Sequence, residues 1–393
     1  MKITLNTKAL LATITALVKV VPAKSALPML ENFLIMADDG LGKVGITASD
    51  QETTIVASIP AGDDTGCDID APGSAAVPAR ILLEIVKQVE DESVTFETSH
   101  NTAIISWESG RGTIPTFDPD DFPKLETTVQ DGTDIEIPGK DLADAINATL
   151  YAVGEDQVRP IINGIYIHAR TDGLYFVASD AHRLAIHSIP GLKAAKEGGF
   201  VLHKKNASLI KSLIGGDDTV RIRFREDRAT FQIAETSVSV RPIAGKFPDY
   251  QKVIPSKNTK ILVVDAKLLA SVVKRVQVCA NKDASVIKLA VKKDAEGDGN
   301  TLEVTAQDLG YATAAFEKLA VECFGDPFAT GAGEAFTIGY KSSFLIDLLN
   351  AFGDQPVRIA FGGEKQAALA TPAEPDPEAT ATDAAVIMPV SIS

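Results

Sequence analysis

The property that most limits how this chain can fold is that it repeats itself. Ala48-Ser49-Asp50 leads to Ser58-Ile59-Pro60, and Ala178-Ser179-Asp180 leads to Ser188-Ile189-Pro190, aligned without a gap at a spacing of 130 residues. Phe122-Pro123, after Asp120 and Asp121, is matched by Phe247-Pro248, after Gly245 and Lys246, at a spacing of 125. A third recurrence marks unit beginnings: a strand-like run, a Lys, then apolar residues at helical spacing, at Lys8, Lys140 and Lys267. In the first copy Leu10, Leu11, Ile14, Leu17, Val18 and Val21 share one helical face, while Lys8, Ala12, Thr15 and Lys19 share another. In the third copy Leu268, Leu269, Val272 and Val276 form the apolar stripe, with Lys267, Ser271 and Lys274 on the polar one. The middle copy departs, with Asp144 and Asn147 in place of small polar residues. Such spacing implies similar modules in series rather than one large core.

Each unit holds a second helix candidate, at 77–89, 202–214 and 340–351, with Arg80, Lys204 with Lys205, and Lys341 near their starts. Between helices lie β-rich runs: 103–107, 173–177, 220–224, 230–233 and 302–305. The reading is α+β: three domains over 1–128, 129–256 and 257–393, each two helices packed on antiparallel strands. A mobile loop is expected at 371–383, rich in Pro, Glu, Ala and Thr, before a final strand at 385–390. The apolar stretch 9–18 behind Lys2 and Lys8 loosely imitates a signal peptide, but Lys19 interrupts it and the pattern recurs deeper in the chain. No run reaches the roughly 18 apolar residues of a spanning helix. Cys67, Cys279 and Cys323 stand far apart, which suits a reducing cytoplasm and encodes neither a zinc ribbon nor a disulfide framework.

The formal charge of the chain is -15, a surface that on average repels nucleic acid and anionic lipid. The six helix candidates run against that average, with 13 Lys and Arg against 5 Asp and Glu, leaving the remainder of the chain near -23. Helices sharing a basic, small-residue face could line one surface that follows phosphates without reading bases. The plainer alternative is that these lysines solvate exposed helix faces.

Known catalytic signatures are missing. There is no P-loop, no His-Glu-x-x-His helix, no Gly-x-Ser-x-Gly elbow and no cysteine in a catalytic setting. No cofactor, metal or catalytic residue is assigned. Asp180 and His182, with Asp50 and Asp308 at corresponding points, leave open a metal-dependent phosphohydrolase, although no unit has a full ligand set. A scaffold that assembles proteins on its acidic face is a further alternative.

Two stretches carry a family resemblance: Ala-Ser-Asp-Ala-His-Arg-Leu-Ala-Ile-His-Ser-Ile-Pro at 178–190 and Gly-Lys-Phe-Pro-Asp-Tyr-Gln-Lys-Val-Ile-Pro at 245–255. With Leu27 to Asn32, Val77 to Arg80, Ser109-Gly110-Arg111, Arg159 to Gly164 and Val386 to Val390, they make the whole chain resemble the bacterial sliding clamps, the beta subunits of DNA polymerase III. That resemblance implies a head-to-tail homodimer whose six domains close a ring around duplex DNA, with helices lining the hole and sheets forming an acidic exterior. It implies no catalytic activity and no membrane partner. Candidates for contact with DNA are Lys8, Lys19, Lys24, Arg80, Lys87, Lys204, Lys205, Lys211, Lys267, Lys274, Arg275 and Lys341.

The resemblance also implies a pocket that docks replicative polymerase, clamp loader and repair proteins through short hydrophobic peptides. Its residues here would be Ile162, Ser179, Ala181, His182, Arg183, Leu184, Pro248, Val253, Val386, Met388, Pro389 and Val390, with Arg183 and His182 orienting polar peptide groups at the rim. The chain departs from the family where Ala181 replaces a common glycine, where Val390 and Ser391 replace a Met and a basic residue, and in the length of the 371–383 loop. At the ring joint, Thr102, Ile104, Ile105 and Trp107 of one copy are expected to meet Gln277, Val278, Ile287 and Leu289 of the other.

Overall fold

A computed structural model describes residues 1–123, 126–194, 196–293, 300–328, 335–374 and 380–392. Among them are six helices: α1 (Thr7–Leu17), α2 (Ala79–Gln88), α3 (Gly139–Leu150), α4 (Lys204–Lys211), α5 (Ala266–Val276) and α6 (Ser342–Phe352). Each follows directly on a strand. Strand Lys2–Asn6 ends on Asn6, whose side chain accepts from the Ala9 amide at 3.1 Å, and strand Lys260–Asp265 ends on Asp265, which accepts from Leu268 at 2.6 Å. These caps satisfy amides that the first helical turn leaves without partners. They also explain why Lys8 and Lys267 fall at matching places, two residues beyond the cap.

The helical faces follow the apolar spacing. On α1, Leu10, Ile14 and Leu17 are buried, and Lys8, Ala12 and Thr15 are exposed, as is Lys19 just past the helix. On α5, Leu269, Val272, Val273 and Val276 are buried; Leu268, expected in the apolar stripe, is instead 47% exposed beside Lys267. Fully burying one such aliphatic side chain contributes about 1.5–3 kcal/mol, so these stripes anchor the helices on their sheets. No helix among the described residues is long and apolar enough to cross a membrane. The second helices are shorter than their apolar runs. Residues 77–78, 202–203 and 340–341 end the strands Gly73–Pro78, Gly198–His203 and Phe336–Lys341, and the helices begin after them.

Contacts divide the chain into two compact units, Met1–Ala143 with Lys205–Pro242, and Asp144–Lys204 with Ile243–Ser393. The reason lies in the sheets. The first repeat supplies a five-stranded sheet ending in Thr102–Trp107 and then Gly110–Pro115. Its other four strands, Asn32–Asp38, Lys43–Ser49, Thr53–Pro60 and Gly73–Pro78, join four from the second repeat in one eight-stranded antiparallel sheet. The joint is the pairing of Thr53–Pro60 with Thr236–Val240, in which Thr54 faces Ser239. In the second unit, Arg183–Ile189 pairs in the same way with Thr382–Ile387, the last strand of the third repeat, with Leu184 facing Val386. Each closing strand of one repeat thus completes a sheet of the repeat before it.

The 130-residue recurrence is a turn. Asp50 Oδ1 accepts from the amides of Glu52 and Thr53 at 3.1 and 2.7 Å; Asp180 Oδ1 accepts from His182 and Arg183, both at 2.9 Å. Ser49 and Ser179 donate their hydroxyls to the carbonyls of Thr53 and Arg183 at 3.1 and 2.8 Å. Asp308 accepts from Gly310 and Tyr311 at 2.8 and 3.3 Å. Such side-chain bridges mimic a backbone turn, which is why Ser-Asp recurs. The residue after the aspartate pays for the tight path in two copies: Gln51 has φ 77° and Ala181 φ 73°.

The C-terminal strand runs over Thr382–Ile387 rather than 385–390. The chain leaves it at Met388, whose amide donates to the His182 carbonyl at 2.9 Å; Pro389 has no amide to continue a ladder, and Val390 bridges to Gly339. Of the expected loop at 371–383, Ala368–Pro372 and Thr382–Ile387 take the two residues at either end; residues 375–379 lie outside the described residues. Left-handed backbone costs an alanine about 1 kcal/mol or more and a glycine almost nothing. Ala181→Gly is therefore expected to raise the unfolding free energy by about 0.5–1 kcal/mol, read as a higher urea midpoint; an unchanged or lower midpoint would show the turn to be unstrained.

Candidate functional site

The basic side chains of the helices divide by what already holds them. Lys8, Lys24 and Lys87 are exposed, with no carboxylate partner among the described residues. Lys19 donates to Ser212 Oγ at 3.0 Å, Arg80 to the Val21 carbonyl at 3.1 Å, and Lys341 lies 4.9 Å above the Phe344 ring. Lys274 approaches Asn350 Oδ1 at 3.5 Å, and Lys205 and Lys211 are exposed. Lys204 binds Glu155, Lys267 binds Asp354 at 2.8 Å, and Arg275 reaches Glu317 with Nε at 3.0 Å. The hydrogen bond to Asp354 holds the Lys267 ammonium above its usual range, and Lys204 holds the Glu155 carboxyl below its own.

In the second unit the structure brings part of the candidate peptide pocket together near the turn at Asp180: Leu184 beside Val386, and Met388 hydrogen-bonded to His182. Leu184 and Val386 are buried in register, in one cluster with Val177, Ile186, Val201, Phe247 and Tyr250. Ile161 packs on that cluster, and Ile162 beside it is buried at the end of a short 3-10 turn. Above this floor Ala181, His182, Pro248, Val253 and Met388 are exposed, Met388 by 42% and Val253 by 51%; Ser179, Pro389 and Val390 are half-buried. An apolar floor under a pliable, exposed methionine suits varied hydrophobic ligands.

Arg183 does not serve as a rim residue. Its side chain is only 10% exposed, with Nε on Asp180 Oδ2 at 3.0 Å and Nη1 on Asp347 Oδ2 at 2.7 Å. The guanidinium also lies 4.5 Å over the Phe344 ring and 5.3 Å over that of Tyr151. It fastens the turn to α6 and to the chain following α3. Burial beside it pushes the Tyr151 hydroxyl well above its ordinary range. His182 stacks on Phe344 with centroids 5.9 Å apart and keeps an exposed edge. Phe344, Asp347 and Tyr151 escaped the sequence reading because no local pattern links them to the turn; Phe247 and Tyr250 were visible within the stretch at 245–255.

Of the ring-joint candidates, Ile105, Ile287 and Leu289 are buried in their own cores, at 1%, 0% and 1% exposure, and so present no side chain to another molecule. Strand Thr102–Trp107 lies between two neighbours in its sheet, so its backbone is already paired. The open edge is the next strand, Gly110–Pro115. Thr102 is exposed and Ile104 half-buried on the inner strand, and Gln277 half-buried and Val278 81% exposed on the short turn after α5. Trp107 lines a groove of about 580 Å³ with Ile81, Ile85 and Val89 of the α2 region. Gly110 permits this, since a Cβ there would meet the Trp107 ring at 3.0 Å.

The aspartates of the phosphohydrolase alternative are taken up by turn amides. Asp180 also holds Arg183, and Asp308 also accepts from Asn281 at 3.1 Å. They shape three hairpins.

Models of the DNA polymerase III beta subunit match the chain over residues 1–126 (N-terminal domain), 136–249 (central domain) and 251–391 (C-terminal domain). The beta sliding clamp of Caulobacter vibrioides is 28% identical over 372 residues, spanning 92% of this chain and 93% of the relative. That of Escherichia coli K12 is 26% identical over 361 residues, spanning 91% and 92%. The crystal structure of the C. crescentus beta sliding clamp superposes with a TM-score of 0.86 over the full length of both chains at 26% identity. The three modules, the strand-paired joints and these matches agree: the chain belongs to the DNA polymerase III beta subunit family, the beta sliding clamps, which are non-catalytic processivity factors of DNA replication.

Proposed function

We propose that two copies of this chain join head to tail in a closed ring that encircles duplex DNA, independent of sequence, and tethers replicative polymerase and clamp-loader subunits. Domain limits of 1–128, 129–256 and 257–393 go with this reading. The observation that carries it is an unused pair of strand edges. Within the chain, the closing strands Thr236–Val240 and Thr382–Ile387 each pair with a strand of the preceding repeat. The corresponding strand of the first repeat, Gly110–Pro115, is an edge of its sheet among the described residues. In the third repeat, among the described residues, strand Thr313–Gly325 pairs on one side only over residues 313–321 and turns to Lys260–Asp265 from Glu322 onward. A second copy satisfies both edges by repeating the joint already made twice. A head-to-tail interface gives a ring where its rotation closes and a filament where it does not, and two copies that satisfy each other's edges close. Phe316 on the open stretch is 68% exposed, and the Trp107 groove beside the other edge offers apolar surface for Val278 of the second copy.

The lysine-bearing helix faces supply general phosphate attraction, and a ring holds DNA by topology, so no base contact is needed. The cluster around Leu184, Val386 and Met388 serves as the docking pocket for short hydrophobic peptides.

Loaded onto nicked circular duplex by its clamp loader, the protein is expected to stay bound, and to be lost once the circle is cut; equal retention on both would sink the ring. The triple variant Lys8→Glu, Lys205→Glu and Lys274→Glu should lower loading about tenfold or more and flatten its salt dependence. Phe316→Asp and, separately, Val278→Asp should shift the dimer to monomer in sedimentation at micromolar concentration, whereas persistence of the dimer in both would place the joint elsewhere. Met388→Asp should weaken a polymerase-derived hydrophobic peptide by about 10- to 100-fold in fluorescence anisotropy while leaving the dimer intact.

A further inference from the structure

The first two repeats set matching residues on the outer faces of their sheets but fill the space differently. The turns led by Pro28 and Pro160 fix the alignment. Strands Asn32–Asp38 and Gly164–Ala169 follow them, placing Leu34 and Met36 where the second repeat has Tyr166 and His168, and Phe122 corresponds to Phe247. In the second repeat the rings close on one another. Tyr166 stacks on Phe247 at 4.9 Å and on His168 at 5.0 Å, and His168 Nδ1 shares a hydrogen bond with the Tyr250 hydroxyl at 3.1 Å.

In the first repeat the smaller aliphatic side chains leave an open groove of about 740 Å³, lined by Leu34, Met36, Val56, Phe122 and Pro123. Met36 is 50% exposed within it. A groove of this volume accepts two or three side chains, and a methionine adapts to their shape.

Charge identifies the occupant. Asp120 lines the groove, and Asp118 and Asp121 flank it; all three are exposed, and none has a Lys or Arg partner among the described residues. Nearby arginines of the same unit are engaged, Arg228 with Glu126 and Arg241 with Glu52. In the second repeat the positions of Asp120 and Asp121 are held by Gly245 and Lys246, so the pair of carboxylates ahead of Phe-Pro is a feature of the first repeat and not of the second.

We propose that this groove is a second docking site, for a protein segment that carries an apolar anchor flanked by lysines or arginines. The site is separate from the pocket around Leu184 and Met388 and selects partners of the opposite charge.

The test is fluorescence anisotropy of the intact dimer with a labelled nonapeptide bearing a central Leu-Phe pair between lysines, and with its glutamate-flanked counterpart. The lysine-flanked peptide is expected to bind saturably at about 10–100 µM. The double variant Asp120→Lys and Asp121→Lys should weaken it at least tenfold, as should Met36→Glu, and Met388→Asp should leave it unchanged. Because Asp120 and Asp121 are exposed, their replacement does not threaten folding. Equal binding of the glutamate-flanked peptide, loss of binding in Met388→Asp, displacement by duplex DNA with no effect of Met36→Glu, or no saturation below about 1 mM would each overturn the proposal.

Discussion

Antiparallel backbone pairing between repeats is the constraint on which the rest of this structure depends. An exposed sheet edge is a row of backbone donors and acceptors without protein partners, and a module that ends in such a strand offers it for pairing. Here the second and third repeats satisfy their closing strands on the repeat before them, across Thr53–Pro60 with Thr236–Val240 and Arg183–Ile189 with Thr382–Ile387. That is why each compact unit takes pieces from more than one repeat. In the first repeat the closing strand, Gly110–Pro115, is an edge of its sheet among the described residues.

The sequence made the modules legible through features enforced locally. A capping residue, a lysine and an apolar stripe are dictated within one or two helical turns, so the starts of α1 and α5 could be located from spacing alone. The Ser-Asp recurrence was equally visible, because two backbone amides must find an acceptor inside a four-residue turn. Its meaning was less visible, since aspartate beside histidine also fits metal chemistry, and only the hydrogen bonds show the carboxylates to be committed to the chain itself.

What stayed hidden was set by distant neighbours. Nothing near Arg183 in sequence announces that Asp347 lies 164 positions away and that Phe344 and Tyr151 enclose the guanidinium. Ile105, Ile287 and Leu289 belong to β-rich runs whose buried and exposed faces depend on strand order, which alternation alone does not reveal. Leu268 fits an apolar helical stripe by spacing yet lies at its margin, beyond the reach of the sheet.

Three of the helix cations, Lys204, Lys267 and Arg275, enter any encounter with a polyanion already holding a carboxylate. A phosphate that reaches them must displace a side chain of like charge, so one ion pair is exchanged for another and little free energy changes hands. Surface pairs of this kind contribute little, because solvent screens both partners. For the proposed ring on duplex DNA such contacts would make a shallow track with few deep wells: the behaviour of a lubricated bearing, in which the protein's own carboxylates supply the lubricant.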